Sequence, residues 1–341
     1  MKTTFQGKDI LVTGGAGSIG SEIVKQLLEY DVKKVRVFDI NESGLFHLEE
    51  KLRDSSRNYS RVRYLVGDVR DPSRLKLALK DVDIVFHAAA LKHVPLCEYN
   101  PYEAVKTNVV GTENVMEAAR DSGVEKVITI STDKAVNPIN TMGATKLLAE
   151  KITLNAEMGE FKTKFSCVRF GNVLNSIGSV IPIFQRQIAK GGPVTLTSDE
   201  MTRFFMSMPD AVNLVLSAAK IMEGREVFIL KMDAIRIVDL AEAMVSILGP
   251  KYGYKPNSIK LVKIGRRPGE KLHEELLTED EAKHVEEVED LFILRPGITV
   301  PGYTKEDYKG KLKIGGYNSK TVKKIGKIEI EKVLQKELAR Y

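Results

Sequence analysis

Thr132, Asp133 and Lys134 place a hydroxyl, a carboxyl and an amine on three consecutive residues, and Met142 and Lys146 follow at a spacing of four. On a helix that spacing puts Met142 and Lys146 on one face. A hydroxyl, an acid and a base side by side suit a reaction that moves several protons. As the acid, Asp133 would have to be protonated, which requires burial or a neighbouring negative charge. As the base, Lys134 would need desolvation and nearby cations to lower its pKa toward neutral. Thr132 can hydrogen-bond a substrate oxygen, and Lys146 suits ribose hydroxyls. Met142 can neither give nor take a proton, so its own contribution is packing. The plain alternatives are an exposed strand-end ion pair for Asp133–Lys134 and a surface-helix lysine for Lys146.

A second group suits a dinucleotide. Gly14-Gly15-Ala16-Gly17-Ser18-Ile19-Gly20 follows an apolar run and opens a helical pattern. Glycines there allow a tight turn, and the amides of Ser18, Ile19 and Gly20 at the helix start favour a pyrophosphate. Asp39 ends the next apolar run, where a carboxylate accepts hydrogen bonds from ribose hydroxyls and repels a 2′-phosphate. No arginine follows in Asp39-Ile40-Asn41-Glu42, so NAD is favoured, with NADP the alternative. In Gly67-Asp68-Val69 the carboxylate can accept the adenine amino group while Val69 packs on the ring. Ala88, Ala89 and Ala90 after His87 are small enough for a cofactor to pass closely, or for tight helix–sheet packing.

These residues need a scaffold that brings strand ends together. Asp9–Thr13, Lys34–Asp39, Arg63–Val66, Asp83–His87, Lys126–Ser131 and Phe165–Phe170 read as buried strands, with helical patterns such as Ser18–Tyr30 and Thr107–Ser122 between them. The alternation predicts an α/β fold with a doubly wound parallel (Rossmann-type) sheet. After Gly171 the pattern is irregular, and a smaller C-terminal α/β cap that binds substrate is expected. The predicted division is 1–171 for the dinucleotide, 172–290 for the substrate, interleaved with it, and 291–341 as an extension.

The chain has 341 residues, 43% hydrophobic and 29% charged, an ordinary soluble balance. Its net charge of +6 suggests an anionic ligand. Much of the excess is lysine near the C-terminus (Lys309, Lys311, Lys313, Lys320, Lys323, Lys324, Lys327), which commonly marks a solvated face. No stacked-aromatic motif, zinc spacing or membrane-length apolar run is present, so no nucleic-acid, metal or membrane partner is expected. Cys97 and Cys167 stand alone, and the N-terminus lacks a signal-peptide pattern, so a reducing, cytoplasmic setting is expected.

Taken as an ordered set, GGAGSIG, GDVRD, HAAALKHVP, KTNVVGTENV, STDKA, MGATK, RFGNV, GSVIPIF, MTRFFM and RPGEKLHE resemble the UDP-N-acetylglucosamine 4,6-dehydratases. These are extended short-chain dehydrogenase/reductases of the polysaccharide-biosynthesis type. The tail around Gly316-Tyr317-Asn318-Ser319 is more similar to the C5-inverting branch. The resemblance implies a redox-neutral lyase that oxidises sugar C4, eliminates water across C5 and C6 and returns hydride to C6. It implies Thr132, Asp133, Lys134, Met142 and Lys146 at the reacting centre. For the cofactor it adds Asn41, Asn108 and Lys92. For the UDP-sugar it implies Lys92, Asn172, Ser179, Val180, Gln185, Thr195 and Met201, with Arg203 and Arg267 as diphosphate cations and Glu270 on ribose. A surface ion pair is the ordinary alternative for each arginine. Position 142 holds methionine, as the resemblance allows for some members where others carry tyrosine, which leaves Lys134, Asp133 or a water held by Lys146 to take the C4 proton. A homo-oligomer, dimer or hexamer, is expected by analogy. The competing functions are a C5-retaining dehydratase, a UDP-sugar 4-epimerase and a non-catalytic dinucleotide sensor.

Overall fold

The structure is a computed structural model that describes residues 4–156, 162–174, 176, 178–295 and 315–338. Lys309, Lys311 and Lys313, with much of the expected extension, lie outside the described residues. The first half alternates as β1 (Asp9–Thr13), α1 (Ser18–Leu27), β2 (Lys34–Asp39), α2 (Glu42–Ser55), β3 (Val62–Val66), α3 (Pro72–Leu79) and β4 (Ile84–His87). It continues through α4 (Val94–Tyr99), α5 (Pro101–Ala104), a π-helical turn (Val105–Val110) and α6 (Gly111–Asp121). Then come β5 (Lys126–Ile130), α7 (Thr141–Asn155) and β6 (Lys164–Arg169). Each strand lies within a residue of its predicted span.

These runs form strands because they are buried on both faces. Ile10, Val12, Phe86 and Ile128 pack on one side of the sheet with Ile23 and Val24 of α1. Leu11, Val85 and Val127 pack on the other with Leu75 and Leu79 of α3 and Val115 of α6. Successive residues thus serve opposite layers, as the two-residue period of a strand requires. Burial of each such side chain contributes about 1.5–3 kcal/mol.

The second half adds β7 (Asn172–Val173), α8 (Val180–Ala189), β8 (Val194–Leu196), β9 (Thr202–Met206) and α9 (Met208–Ile221). β10 (Val227–Leu230), β11 (Ala234–Arg236), α10 (Ile237–Leu248), β12 (Leu261–Lys263) and β13 (Glu275–Leu277) follow. β14 (Val285–Val288), β15 (Leu291–Leu294), β16 (Tyr317–Asn318) and α11 (Lys327–Leu338) complete the described chain.

The main sheet is nine-stranded, in the order β14-β15-β10-β6-β5-β4-β1-β2-β3. The chain leaves β1 toward β2 and β3, then restarts at β4 on the other flank. The reversal opens a crevice at the carboxyl ends of β1 and β4, the place where such sheets take ligands. A second core, with Phe184 and Ile188 of α8, Leu196, Leu240 and Met244 of α10, and Ile330 and Leu334 of α11, forms the smaller unit.

Two differences from the sequence reading concern the second half. A boundary at 290/291 cuts a hairpin: β14 and β15 pair antiparallel, Val288 opposite Leu291, and extend the main sheet beyond β10. The sheet is therefore parallel only from β3 to β10. The end of the chain, α11, joins the smaller unit instead of standing apart.

Candidate active site

The glycine turn is shaped by close approach. Gly14 adopts φ +64°, and a Cβ there would stand 2.6 Å from the Ala89 amide nitrogen. β1 and β4 can therefore meet at this edge only through a glycine. A Cβ on Gly20 would strike the Gly14 carbonyl, whereas one on Gly17 would find only the Gly14 oxygen, at 3.2 Å. The Gly17 side of the turn is thus the open side, at the N-terminus of α1. Asp39 braces the turn: its carboxylate accepts from the Ala16 and Asn41 amides, both at 2.9 Å.

Other expected cofactor residues have structural duties. Asn41 caps α2 by accepting from the Gly44 amide at 3.0 Å. Asp68 pairs with Arg70 at 2.6 Å, a bond that holds its carboxyl below the usual range, and Arg70 reaches Glu103 at 2.6 Å. Val69 is buried against Gly111 of α6, not presented to a ring, which corrects the expected adenine contact. Asn108 is also corrected. It is 1% exposed, and its amide brackets Leu91, accepting from the Leu91 amide at 2.7 Å and donating to the Leu91 carbonyl at 3.0 Å. It therefore positions the segment after Ala88–Ala90, whose three alanines remain partly exposed along the crevice.

Thr132, Asp133 and Lys134 follow β5 directly and fold back as a 3-10 turn, Asp133–Ala135. Thr132 Oγ1 donates to Asp133 Oδ1 at 2.9 Å, and Lys134 Nζ donates to the same oxygen at 2.9 Å. Lys134 also donates to Asn172 Oδ1 at 3.2 Å, so Asn172 belongs to this cluster. Asp133 is fully buried and its Oδ2 has no partner. Across Lys134 lies a residue to which the sequence reading gave no role, Glu274. Its Oε1 is 3.9 Å from Lys134 Nζ and 3.6 Å from Arg203 Nε, and its Oε2 is buried without a partner.

The expected lowering of Lys134 is not found. Burial works against its charge, but Asp133 and Glu274 outweigh burial and hold the ammonium above the ordinary lysine value. The raised carboxyl is Glu274, pushed up by burial and then by Asp133, against the pull of Lys134 and Arg203.

Met142 and Lys146 share a face of α7, as predicted, but Met142 turns into a small cluster with Cys97 and Ala104 and is 3% exposed. That packing removes it from the reacting group. Lys146 Nζ donates to the Ile130 carbonyl at 2.6 Å, at the end of β5, and burial lowers its pKa. One turn further, Glu150 meets Arg169 in a buried ion pair and accepts from Ser131 Oγ. Its spacing of four from Lys146 was the available signal for this group.

Of the expected UDP-sugar residues, Arg203 needs the firmest correction. It is 5% exposed, and its guanidinium donates to the carbonyls of Thr202, Lys271 and Leu272 at 2.7–3.1 Å. Its fork is spent inside the protein, so it positions Glu274 and the 270–272 strand approach, not a diphosphate. Met201 is likewise core, 2% exposed, with Thr197 Oγ1 on its sulfur at 3.3 Å. Thr195 is held by Gln187, through bonds of 2.8 and 3.1 Å, and not by Gln185, which sits half-buried on α8. Arg267 is exposed, and Glu270 accepts from its amide at 3.2 Å. Ser179 precedes α8 with its hydroxyl buried and without a partner among the described residues, and Val180 opens that helix. Lys92 is exposed at the mouth of the cluster, where local burial and then Lys134 lower its pKa.

Comparison with known proteins bears out the motif resemblance. The family described as polysaccharide biosynthesis protein matches residues 10–296. An uncharacterized membrane protein of Methanocaldococcus jannaschii is 57% identical over 97% of this chain and 96% of its own. Among the described residues, no helix here is long and apolar enough to cross a membrane. A UDP-N-acetylglucosamine 4,6-dehydratase (inverting) of Campylobacter jejuni is 43% identical over 86% of this chain and 84% of its own. A UDP-glucose 4-epimerase of Rickettsia bellii is 40% identical over 97% of this chain and 96% of its own. Pen from Bacillus thuringiensis, solved by X-ray, matches with a TM-score of 0.90 and 42% identity over 98% of each chain. MoeE5, solved in complex with UDP-glucose and NAD, matches with a TM-score of 0.61 and 25% identity over 77% of this chain and 87% of its own. With the match running through nearly the whole described sheet and both units, the chain belongs to the polysaccharide biosynthesis protein family and carries its crevice on a Rossmann-type fold.

Proposed function

We propose that the protein is an NAD-dependent UDP-N-acetylglucosamine 4,6-dehydratase of the C5-inverting type. The observation that carries the reading is the hydrogen-bonded Thr132–Asp133–Lys134 cluster, with Asp133 fully buried, at the carboxyl end of β5, beside the β1/β4 crevice. Dehydration moves protons at C4, C5 and the C6 hydroxyl, whereas epimerisation at C4 needs no acid at C6. A linked hydroxyl, carboxyl and amine match the longer list.

The residues present fit the dinucleotide. Gly14, Gly17, Ser18, Ile19 and Gly20 form the turn for its pyrophosphate, and Asp39 stands at the end of β2 for a ribose without a 2′-phosphate. When bound, the dinucleotide supplies the acceptor for the C4 hydride and the donor that returns it to C6. The chain handles the protons. Thr132 bonds the C4 oxygen and passes that proton along its existing bond to Asp133, which answers the absence of a tyrosine at position 142. Asp133 then protonates the departing C6 hydroxyl. Lys134 as the amine removes the C5 proton made acidic by the C4 ketone. Lys146 holds the end of β5 and adds positive potential at the crevice. Arg267, exposed, remains as the diphosphate cation once Arg203 is internal. A cytoplasmic homo-oligomer accords with this reading.

The 40% identical relative named an epimerase makes 4-epimerisation the second reading. Incubation with UDP-N-acetylglucosamine and mass spectrometry of the product separates them. Loss of one water is expected; an isobaric product would overturn the dehydratase.

A further inference from the structure

Lys134 rests as an ammonium between two buried carboxylates, its own side chain 24% exposed, yet the proposed chemistry needs it as an amine. A proton released to solvent would leave the cluster negatively charged. Asp133 is nearest, at 2.9 Å, but the dehydratase reading gives it the C4 proton, so the second carboxylate is the available acceptor. Glu274 is 2% exposed, its Oε1 is 3.9 Å from Lys134 Nζ, and its Oε2 has no partner. Its backbone is fixed: the Glu274 amide donates to Ser319 Oγ at 2.9 Å. Arg203 Nε stands 3.6 Å from the same Oε1.

Resting on the dehydratase reading, we propose that Glu274 is the proton partner of Lys134. Once the pair closes from 3.9 Å to hydrogen-bond distance, an N–H bond of the ammonium breaks, an O–H bond forms on Glu274, and an ammonium–carboxylate pair becomes an amine and a carboxylic acid. With Asp133 ionised and Arg203 charged, the set Asp133, Lys134, Glu274 and Arg203 is neutral before and after. No charge crosses the buried cluster, and the amine arises without any change in the protein's proton count. Glu274 is a positioning residue in this account, because it acts through Lys134.

The surroundings support the exchange. Burial and then Asp133 raise the Glu274 carboxyl, which makes it a better proton acceptor than an ordinary glutamate. The other charged groups that face the pair are Lys271 and Arg203 toward Glu274, and Lys92 and Arg203 toward Lys134. Glu270 lies 3.8 Å from Arg203 and offsets part of its charge. Lys92 favours the amine, whereas Lys271 and Arg203 favour the ionised Glu274 and work against the transfer.

The test is Glu274→Gln, nearly isosteric, with Glu274→Asp as the conservative control. In the wild type the amine is reached internally, so kcat is expected to be flat through neutral pH. In Glu274→Gln the proton must leave for solvent. Then kcat falls at least about tenfold near pH 7 and climbs with unit slope as pH rises. Glu274→Asp restores a flat profile. A Glu274→Gln profile of unchanged shape, merely scaled down, overturns the proposal. Carbon-13 NMR of labelled lysine and glutamate side chains in the wild type reads the exchange without turnover. Lys134 and Glu274 must titrate as one coupled pair, and independent titrations overturn the proposal even if the glutamine variant fails to fold. If the wild type dehydrates no UDP-sugar, the function falls, while the NMR result still decides the proton pairing.

Discussion

Arg169→Met should expose how much the site depends on a buried charge network that reaches Ser131, the residue before Thr132. Arg169 is 2% exposed at the end of β6. It donates to Glu150 at 2.7 and 3.1 Å, to Glu281 at 3.1 and 3.2 Å, and to the Leu276 carbonyl at 2.9 Å. Burial opposes its charge, but Glu150 and Glu281 outweigh burial and hold it firmly protonated. Methionine fills similar space and leaves Glu150, itself 1% exposed, as an uncompensated buried carboxylate. Breaking one side of such a pair costs about 3–5 kcal/mol. At about 2 °C per kcal/mol for a chain of this size, the melting temperature should fall by roughly 6–10 °C.

The effect has a sign in pH. Burial alone would raise Glu281, but Arg169 outweighs it and holds the carboxyl below its ordinary value. A depressed carboxyl stabilises the fold above its unfolded pKa and loses that contribution as pH falls through the folded one. Without Arg169, burial is left to raise Glu281, and protonation relieves it. The gap between wild type and variant should therefore be widest near neutral pH and narrow on acidification. Thermal and urea melts at about pH 7 and about pH 5 measure it. Adding Glu150→Gln and Glu281→Gln to Arg169→Met should recover most of the loss, since neutral replacement of a buried ion network is often tolerated. A cost below about 1 kcal/mol, or a gap that ignores pH, would refute the account of this network.

Asn108→Ala should cost about 1–3 kcal/mol for each Leu91 backbone group left without its partner. It should also weaken NAD binding through the displaced Ala88–Ala90 edge; urea melts and an NAD titration check both, and unchanged NAD affinity would remove the positioning role. Met142→Leu keeps volume against Cys97 and Ala104, so it should cost under about 1.5 kcal/mol and retain turnover. Loss of turnover in a folded Met142→Leu protein would place that side chain back at the reacting centre.

The inner strands of the first half were legible because each is an apolar run long enough to cross the sheet and buried on both faces, whereas β3 is a partly exposed edge strand. The glycine turn and Asp39 were legible for a related reason: their duties lie within one strand–turn–helix unit, and local spacing records them. The charged residues of the second half were not. Arg203 reads as a phosphate cation, but a side chain's charge does not say whether anions or carbonyls surround it, and here carbonyls of residues 202, 271 and 272 do. Glu274 meets Lys134 across 140 residues of chain, a pairing that only the closed fold creates. The β14–β15 hairpin was missed because its two short runs become strands only by pairing with each other and with β10 in the closed fold.

The central claim, that this chain eliminates water from a UDP-sugar through a C4 ketone, is tested most directly by proton NMR of UDP-N-acetylglucosamine turned over in deuterated water with NAD present. The account predicts a 4-keto-6-deoxy product with deuterium at C5, inverted C5 configuration in the coupling constants, and the substrate's own C4 hydrogen on C6. UDP-N-acetylgalactosamine, with all ring hydrogens retained and no deuterium at C5, would contradict it.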